Sequence, residues 1–176
     1  TGVYDAWAAA PSVQEAYEIW HSISESGELS LRIFGSVRET DSADLIANRF
    51  KKFEQNFSSE MVRPEAIKLA VDGVPEGHTA FLLTPYVDST NEDFGQPMIS
   101  KENLTANVTT YFSRDIPIHI HAIGGAAVRM SLDAIESARA TTGNESVRAT
   151  IAHMDFVHPD DIPRFKALNV TAQTSI

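Results

Sequence analysis

Apolar positions along the chain follow two rhythms in turn: short runs of strand type and longer stretches at helical spacing. Gly2-Val-Tyr-Asp-Ala6 reads as the end of a strand. Pro11-Ser12 opens a helix: Ser12 and Glu15 have capping-box spacing, and Val13, Ala16, Trp20 and Ile23 form one stripe before Gly27. Leu29, Leu31 and Ile33 alternate as a strand that Gly35 ends. Asp41 and Ser42 cap a second helix carrying Ile46, Phe50 and Phe53. Ala66-Ile-Lys-Leu-Ala-Val71, closed by Asp72-Gly73, is nearly all apolar, as strands covered on both faces are.

Residues 74–96 have no helical period and are rich in Gly, Pro, His and Asp, the composition of a long loop after a strand. Ser100 caps a helix whose inner face is Leu104, Val108, Tyr111 and Phe112. Ile118-His-Ile-His-Ala122 is a strand, and Gly124-Gly125 lead into a helix over residues 126–140 with Val128, Leu132 and Ile135 inside. A strand ending at His153, a helix start at His158-Pro-Asp-Asp161 and a last strand from Val170 complete the order. Strict alternation of strand and helix predicts an α/β fold with a parallel sheet and right-handed crossovers.

Lys68, in the middle of an apolar strand, is an anomaly. Burying a lone ammonium costs several kcal/mol, so it must pair, reach solvent or be chemically changed. Asp5 and Asp72 are candidate partners. His121 and His153 are the second feature. The 32 positions separating them hold one helix and one return to the sheet, which places the imidazoles on neighbouring strands roughly 5 Å apart. Ligands sit at the C-terminal ends of parallel strands, where both histidines fall. A histidine on an apolar strand is more often a hydrogen-bonded core residue than a ligand; two at equivalent strand ends make the metal reading about even. The Gly124-Gly125 turn is also suited to receive an anion.

A net charge of −10 offers no basic face for a phosphate backbone, so nucleic acid is not an expected partner. No run approaches the ~18 apolar residues of a membrane span, and the expected compartment is the cytoplasm. The absence of cysteine excludes disulfides and thiolate metal sites.

Ile118-His-Ile-His-Ala-Ile-Gly-Gly-Ala-Ala-Val128, Ser131-Leu-Asp-Ala-Ile-Glu136 and Arg148-Ala-Thr-Ile-Ala-His153 through Phe165 resemble the amidohydrolase superfamily. The branch is the one containing N-substituted formamide deformylases and exoenzyme-regulatory proteins. Ile67-Lys-Leu-Ala-Val-Asp-Gly-Val-Pro-Glu-Gly-His-Thr-Ala80 and Thr84-Pro-Tyr-Val-Asp88 resemble the same branch. The resemblance implies a (β/α)8 TIM barrel of the metal-dependent hydrolase type, of which this chain is expected to be an incomplete single domain spanning about the second to the seventh strand. It further implies that His121 and His153 bind a divalent metal such as zinc, one ion or two. Lys68 matches a lysine often carboxylated to bridge two metals. His119 is left as an interior residue.

The family's first-strand His-x-His and its catalytic aspartate on the eighth strand have no counterpart, so no catalytic residue is assigned. Gly125 stands where many relatives carry aspartate. The implied parent reaction is hydrolysis of a C–N bond in an amide, formamide or cyclic amide by metal-activated water, with the chain inactive alone. The substrate is a small amide-type molecule, with Glu76 and His78 in the long loop as candidate contacts. Open barrel edges predict a homo-oligomer. Two other readings stand: a regulatory or binding protein that kept the barrel without turnover, and a complete flavodoxin-like sheet binding a small anion.

Overall fold

The computed structural model describes residues 1–6, 12–38, 40–89 and 92–174. It divides into two compact units, Thr1–Lys68 and Leu69–Ile176. Among the described residues, six strands alternate with five α-helices, the order expected from the hydrophobic pattern. Pro11, expected to open the first helix, lies outside the described residues.

In the first unit, β1 (Gly2–Asp5) pairs in parallel with β2 (Arg32–Arg38). β2 pairs in parallel with β3 (Val62–Ala70), from Ile33 opposite Val62 to Arg38 opposite Lys68. The helix α1 (Val13–Glu25) starts as its capping pattern predicts: the Ser12 hydroxyl accepts the Glu15 N–H at 3.1 Å. Its buried face differs from the expected stripe. Ala16 and Tyr17 are fully covered, whereas Ile23 is 37% exposed. Tyr17 packs edge-on against Trp20 and Phe53 of α2 (Ala43–Phe57), with ring centroids 5.0 and 4.9 Å apart. Ser42 is the N-cap of α2 but makes no side-chain cap bond, and Asp41 instead pairs with Arg49 at 2.8 Å.

β2 begins three residues later than Leu29 and continues past Gly35, which the pattern marked as its end, with a shift of its register against β3 between Gly35 and Ser36. The aromatic packing explains this. A Cβ on Gly35 would lie 2.5 Å from the Tyr17 hydroxyl, so the glycine gives the α1 rings room against the strand. β3 likewise begins four residues before Ala66, because Arg63 and Glu65 alternate with the buried Val62 and Pro64.

In the second unit, β4 (Ile118–Ala122), β5 (Ala149–His153) and β6 (Val170–Gln173) pair in parallel in chain order. α3 (Lys101–Phe112) is capped by the Ser100 hydroxyl, which accepts the Asn103 N–H at 3.2 Å. Leu104, Val108, Tyr111 and Phe112 are all buried, as their spacing requires. α4 (Gly125–Thr142) buries Val128, Leu132 and Ile135 among others and ends at Gly143, whose φ of 66° is the left-handed cap. Each fully buried side chain of this size contributes about 1.5–3 kcal/mol. α5 (Ile162–Ala167) follows a short 3-10 turn at Pro159–Asp161.

Residues 74–89 and 92–98 form the long loop expected over 74–96, and among these described residues one 3-10 turn occurs, at Pro75–Gly77. Its base is pinned on both sides: the Phe81 carbonyl accepts the N–H groups of Ala126 and Ala127 at the start of α4, and Met98 N donates to Val71 O. Phe81 thus satisfies helix-terminal donors that otherwise lack an intrahelical partner.

Candidate metal centre

β4 and β5 bring His121 and His153 together at their C-terminal ends, with ring centroids 4.6 Å apart and planes tilted by 57°. The ladder alone does not do this. His121 stands opposite Ala152, and His153 stands opposite Ala122, so regular alternation directs the two side chains to opposite faces. His153 and Met154 have φ of 76° and 56°, a left-handed end to the strand. That turn carries the His153 ring to the His121 side. It is held by Met154 N and Phe156 N, which donate to the carbonyls of Ala122 and Ile123.

The His121 ring is oriented from the other side. Its Nε2 lies 3.2 Å from the Gly73 carbonyl, which can only accept, so Nε2 is the donor and the neutral form of the ring keeps its lone pair on Nδ1. Asp72 sits beneath this contact, 1% exposed. One carboxylate oxygen accepts Ile123 N at 2.9 Å; the other accepts Gly124 N at 2.8 Å and Phe81 N at 2.9 Å. The anion at the Gly124-Gly125 turn is therefore the chain's own Asp72. Sequence reasoning treated Asp72 as a strand terminator and a possible partner for Lys68. Its three N–H donors come from distant positions, and no local signal marks them.

His119, on the same face as His121, is buried and lies 2.9 Å from the Gln173 amide oxygen. This is the interior, hydrogen-bonded placement expected for it.

Lys68 belongs to the first unit. It is 5% exposed on β3, and burial pushes its ammonium down from 10.5 to about 8. At pH 7 roughly a tenth of the side chain is then free amine, the nucleophilic form that reacts with carbon dioxide.

His78 lies in the long loop between two carboxylates, with Nε2 3.1 Å from Asp88 and Nδ1 3.2 Å from Asp93. The bond to Asp88 is the main cause raising its pKa above 6.5, with Asp93 adding to it. The ring stacks on Tyr86 with centroids 4.2 Å apart. His78 also lines a cavity of about 640 Å³, whose lining includes the apolar Leu82, Leu83 and Phe156 and the polar Tyr86, Asp155 and His158. Glu76 stands exposed in the Pro75–Gly77 turn. His158, read as part of a helix start, caps the turn at Pro159 by accepting Asp160 N at 3.3 Å.

Imidazole nitrogens are donors suited to zinc and other borderline divalent ions. The Gly73 contact adds the backbone acceptor that metal-binding histidines usually have on their second nitrogen. Among the described residues no group of three or more His, Asp or Glu side chains is arranged to hold a metal ion, so these two imidazoles by themselves would make up only part of a coordination sphere. Both Asp72 oxygens are already engaged by backbone N–H groups.

Comparison with known proteins gives these features a context. The chain is 29% identical over 114 residues to Protein LONG AFTER FAR-RED 3 of Arabidopsis thaliana, covering 65% of this chain and 19% of that protein. It is 27% identical over 139 residues to the exoenzymes regulatory protein AepA of Pectobacterium carotovorum, covering 78% of this chain and 28% of the other. A crystal structure of an uncharacterized metal-dependent hydrolase from Pyrococcus horikoshii matches with a TM-score of 0.71 and 25% identity, over 99% of this chain and 32% of that one. The chain thus spans less than a third of the length of each. With its parallel strands and alternating helices, it has the fold class of a partial (β/α)8 barrel of the metal-dependent hydrolase type. The model of the amidohydrolase family matches residues 1–176 in full, and the chain belongs to that family.

Proposed function

We propose that His121 and His153 hold a divalent metal ion, zinc or a similar one, in a protein that hydrolyses a non-peptide C–N bond of an amide, formamide or cyclic amide. The observation that carries this reading is the meeting of two imidazoles at neighbouring strand ends in a chain of the amidohydrolase family. When bound, such an ion polarises a substrate carbonyl and lowers the pKa of water to about 7. His121 offers Nδ1, because Gly73 holds the Nε2 proton. His153 offers the second imidazole, held by its left-handed strand end. For Lys68, taken by itself, we propose carboxylation. Its lowered pKa favours the reactive amine, and a carbamate is an anionic oxygen donor suited to a divalent ion.

The cavity beside the loop is the proposed recess for the substrate's apolar substituent, with His78 in its wall and Glu76 at the nearby turn. The fit is to a small neutral molecule, since the described lining residues include Asp155 and the His78-paired Asp88 and no Lys or Arg to hold an anion.

The test is the metal content of the full-length protein, purified without chelators, beside His121→Ala and His153→Ala. One or two equivalents of a divalent metal, lost in both variants, are expected. An intact protein without metal, or variants that keep it, overturns the reading.

A second reading is a barrel that binds or regulates without turnover. It is supported by the name of the Pectobacterium relative, a regulatory protein. A screen of amides and formamides with the metal-loaded protein separates the two, because hydrolysis of any of them eliminates the second.

A further inference from the structure

We propose that Asp72 is the positioning residue of the His121 imidazole: its carboxylate ties together two separate segments of backbone and so sets the carbonyl that fixes the ring. The geometry is direct. Asp72 is buried, immediately precedes Gly73, and receives N–H bonds from Ile123 and Gly124, just past the end of β4, and from Phe81 in the loop. Phe81 in turn caps α4 through its carbonyl. A Cβ on Gly124 would fall inside contact distance of that carbonyl, so the loop and the strand end are in close apposition. The Gly73 carbonyl then meets His121 Nε2 at 3.2 Å, and the nearer Asp72 oxygen is 3.8 Å from the same nitrogen.

A carboxylate presents only acceptors, and all three of these backbone donors need one. An amide of the same shape turns an NH₂ group toward at least one of the N–H donors. The cost is a buried donor left unsatisfied, and the carbonyl held by this junction shifts relative to the ring. Asp72 therefore selects which His121 nitrogen carries the proton without touching the lone pair on Nδ1. The consequence for metal affinity rests on the proposed metal centre; the consequence for the ring does not.

The test uses the full-length protein with ¹⁵N-labelled histidine, as wild type, Asp72→Asn and Val108→Ala. Val108 is buried in α3, and its truncation controls for a general loss of stability. The wild-type His121 ring is expected to show the Nε2–H tautomer alone. In Asp72→Asn it moves to a mixture of tautomers, and zinc affinity in competition with a chromophoric chelator falls roughly ten- to a hundredfold. Val108→Ala keeps both wild-type values. If Asp72→Asn does not fold, Asp72→Glu, which keeps the charge but displaces it by a methylene, takes its place in both measurements. A wild-type tautomer in the substituted protein overturns the proposal, and so does wild-type zinc affinity. A wild type that takes up no zinc while the tautomer still changes on substitution supports the positioning role and overturns the metal reading alone.

Discussion

His121 and His153 face each other across 4.6 Å although the β4–β5 register sets them on opposite faces, and the left-handed backbone of His153 reconciles the two facts. A left-handed φ at a non-glycine residue costs on the order of 1–2 kcal/mol, so the strand end stores strain where the chemistry is proposed. His153→Gly and His153→Ala both remove the imidazole, but only glycine relaxes the backbone. His153→Gly is expected to be more stable than His153→Ala by about 1 kcal/mol in urea denaturation. Equal stability would mean that the strand end is not strained.

Lys68 makes stability rise with pH over a defined window. Folded Lys68 releases its proton at about 8 and the unfolded group near 10.5, so between these values the unfolded state binds more protons. The penalty for burying the cation is present in full below pH 8 and disappears as pH rises towards 10.5. In carbon-dioxide-free buffer Lys68→Met is expected to exceed wild type at pH 7 by at most an amount on the order of 3 kcal/mol. The gap closes by about pH 10.5. A difference that does not change with pH refutes this account.

The long loop carries the opposite dependence. Asp88 and Asp93 raise the His78 pKa, so the ion pairs hold in full below 6.5 and weaken as pH rises through the raised value. At the acid end Asp88, lowered by its bond to His78, gives up its share as pH falls through its own depressed value. Hydrogen exchange in residues 82–95 is expected to speed up, beyond the intrinsic base-catalysed rise, as His78 loses its proton. His78→Phe, which retains the stacking on Tyr86, removes that extra step.

Tyr17 presents a buried hydroxyl with no hydrogen-bond partner among the described residues, and burial drives its pKa far upward. Removing the oxygen leaves the ring packing of the first unit in place. Tyr17→Phe is expected to be neutral or to stabilise by up to about 1 kcal/mol, measured by thermal or urea unfolding. A loss of more than about 1 kcal/mol would show that the hydroxyl has a partner.

Much of this molecule can be read in the sequence, because local pattern and final burial agree. α3 and α4 bury the residues their periodicity selects, and the histidine strands lie where their apolar runs place them. Departures occur where a distant partner decides. Gly35 looks like a strand end until Tyr17 is packed against it. The start of β3 is hidden by charged residues that alternate with buried ones. Asp72 looks like a turn residue because the N–H groups it binds lie 9, 51 and 52 positions away. The contact between His121 and His153 is legible as proximity, whereas its dependence on a left-handed backbone is not.

The pinned base of the long loop also bears on how such a protein diversifies. Phe81 is tied to α4, Met98 to Val71, and Leu82 N donates to Phe94 O between them. The described residues 83–89 and 92–93 therefore hang from a fixed frame: length and chemistry there can change while the frame that orients His121 stays put. A library of chimaeras exchanging that stretch alone would vary the lining of the cavity beside His78 while the strand ends stay constant.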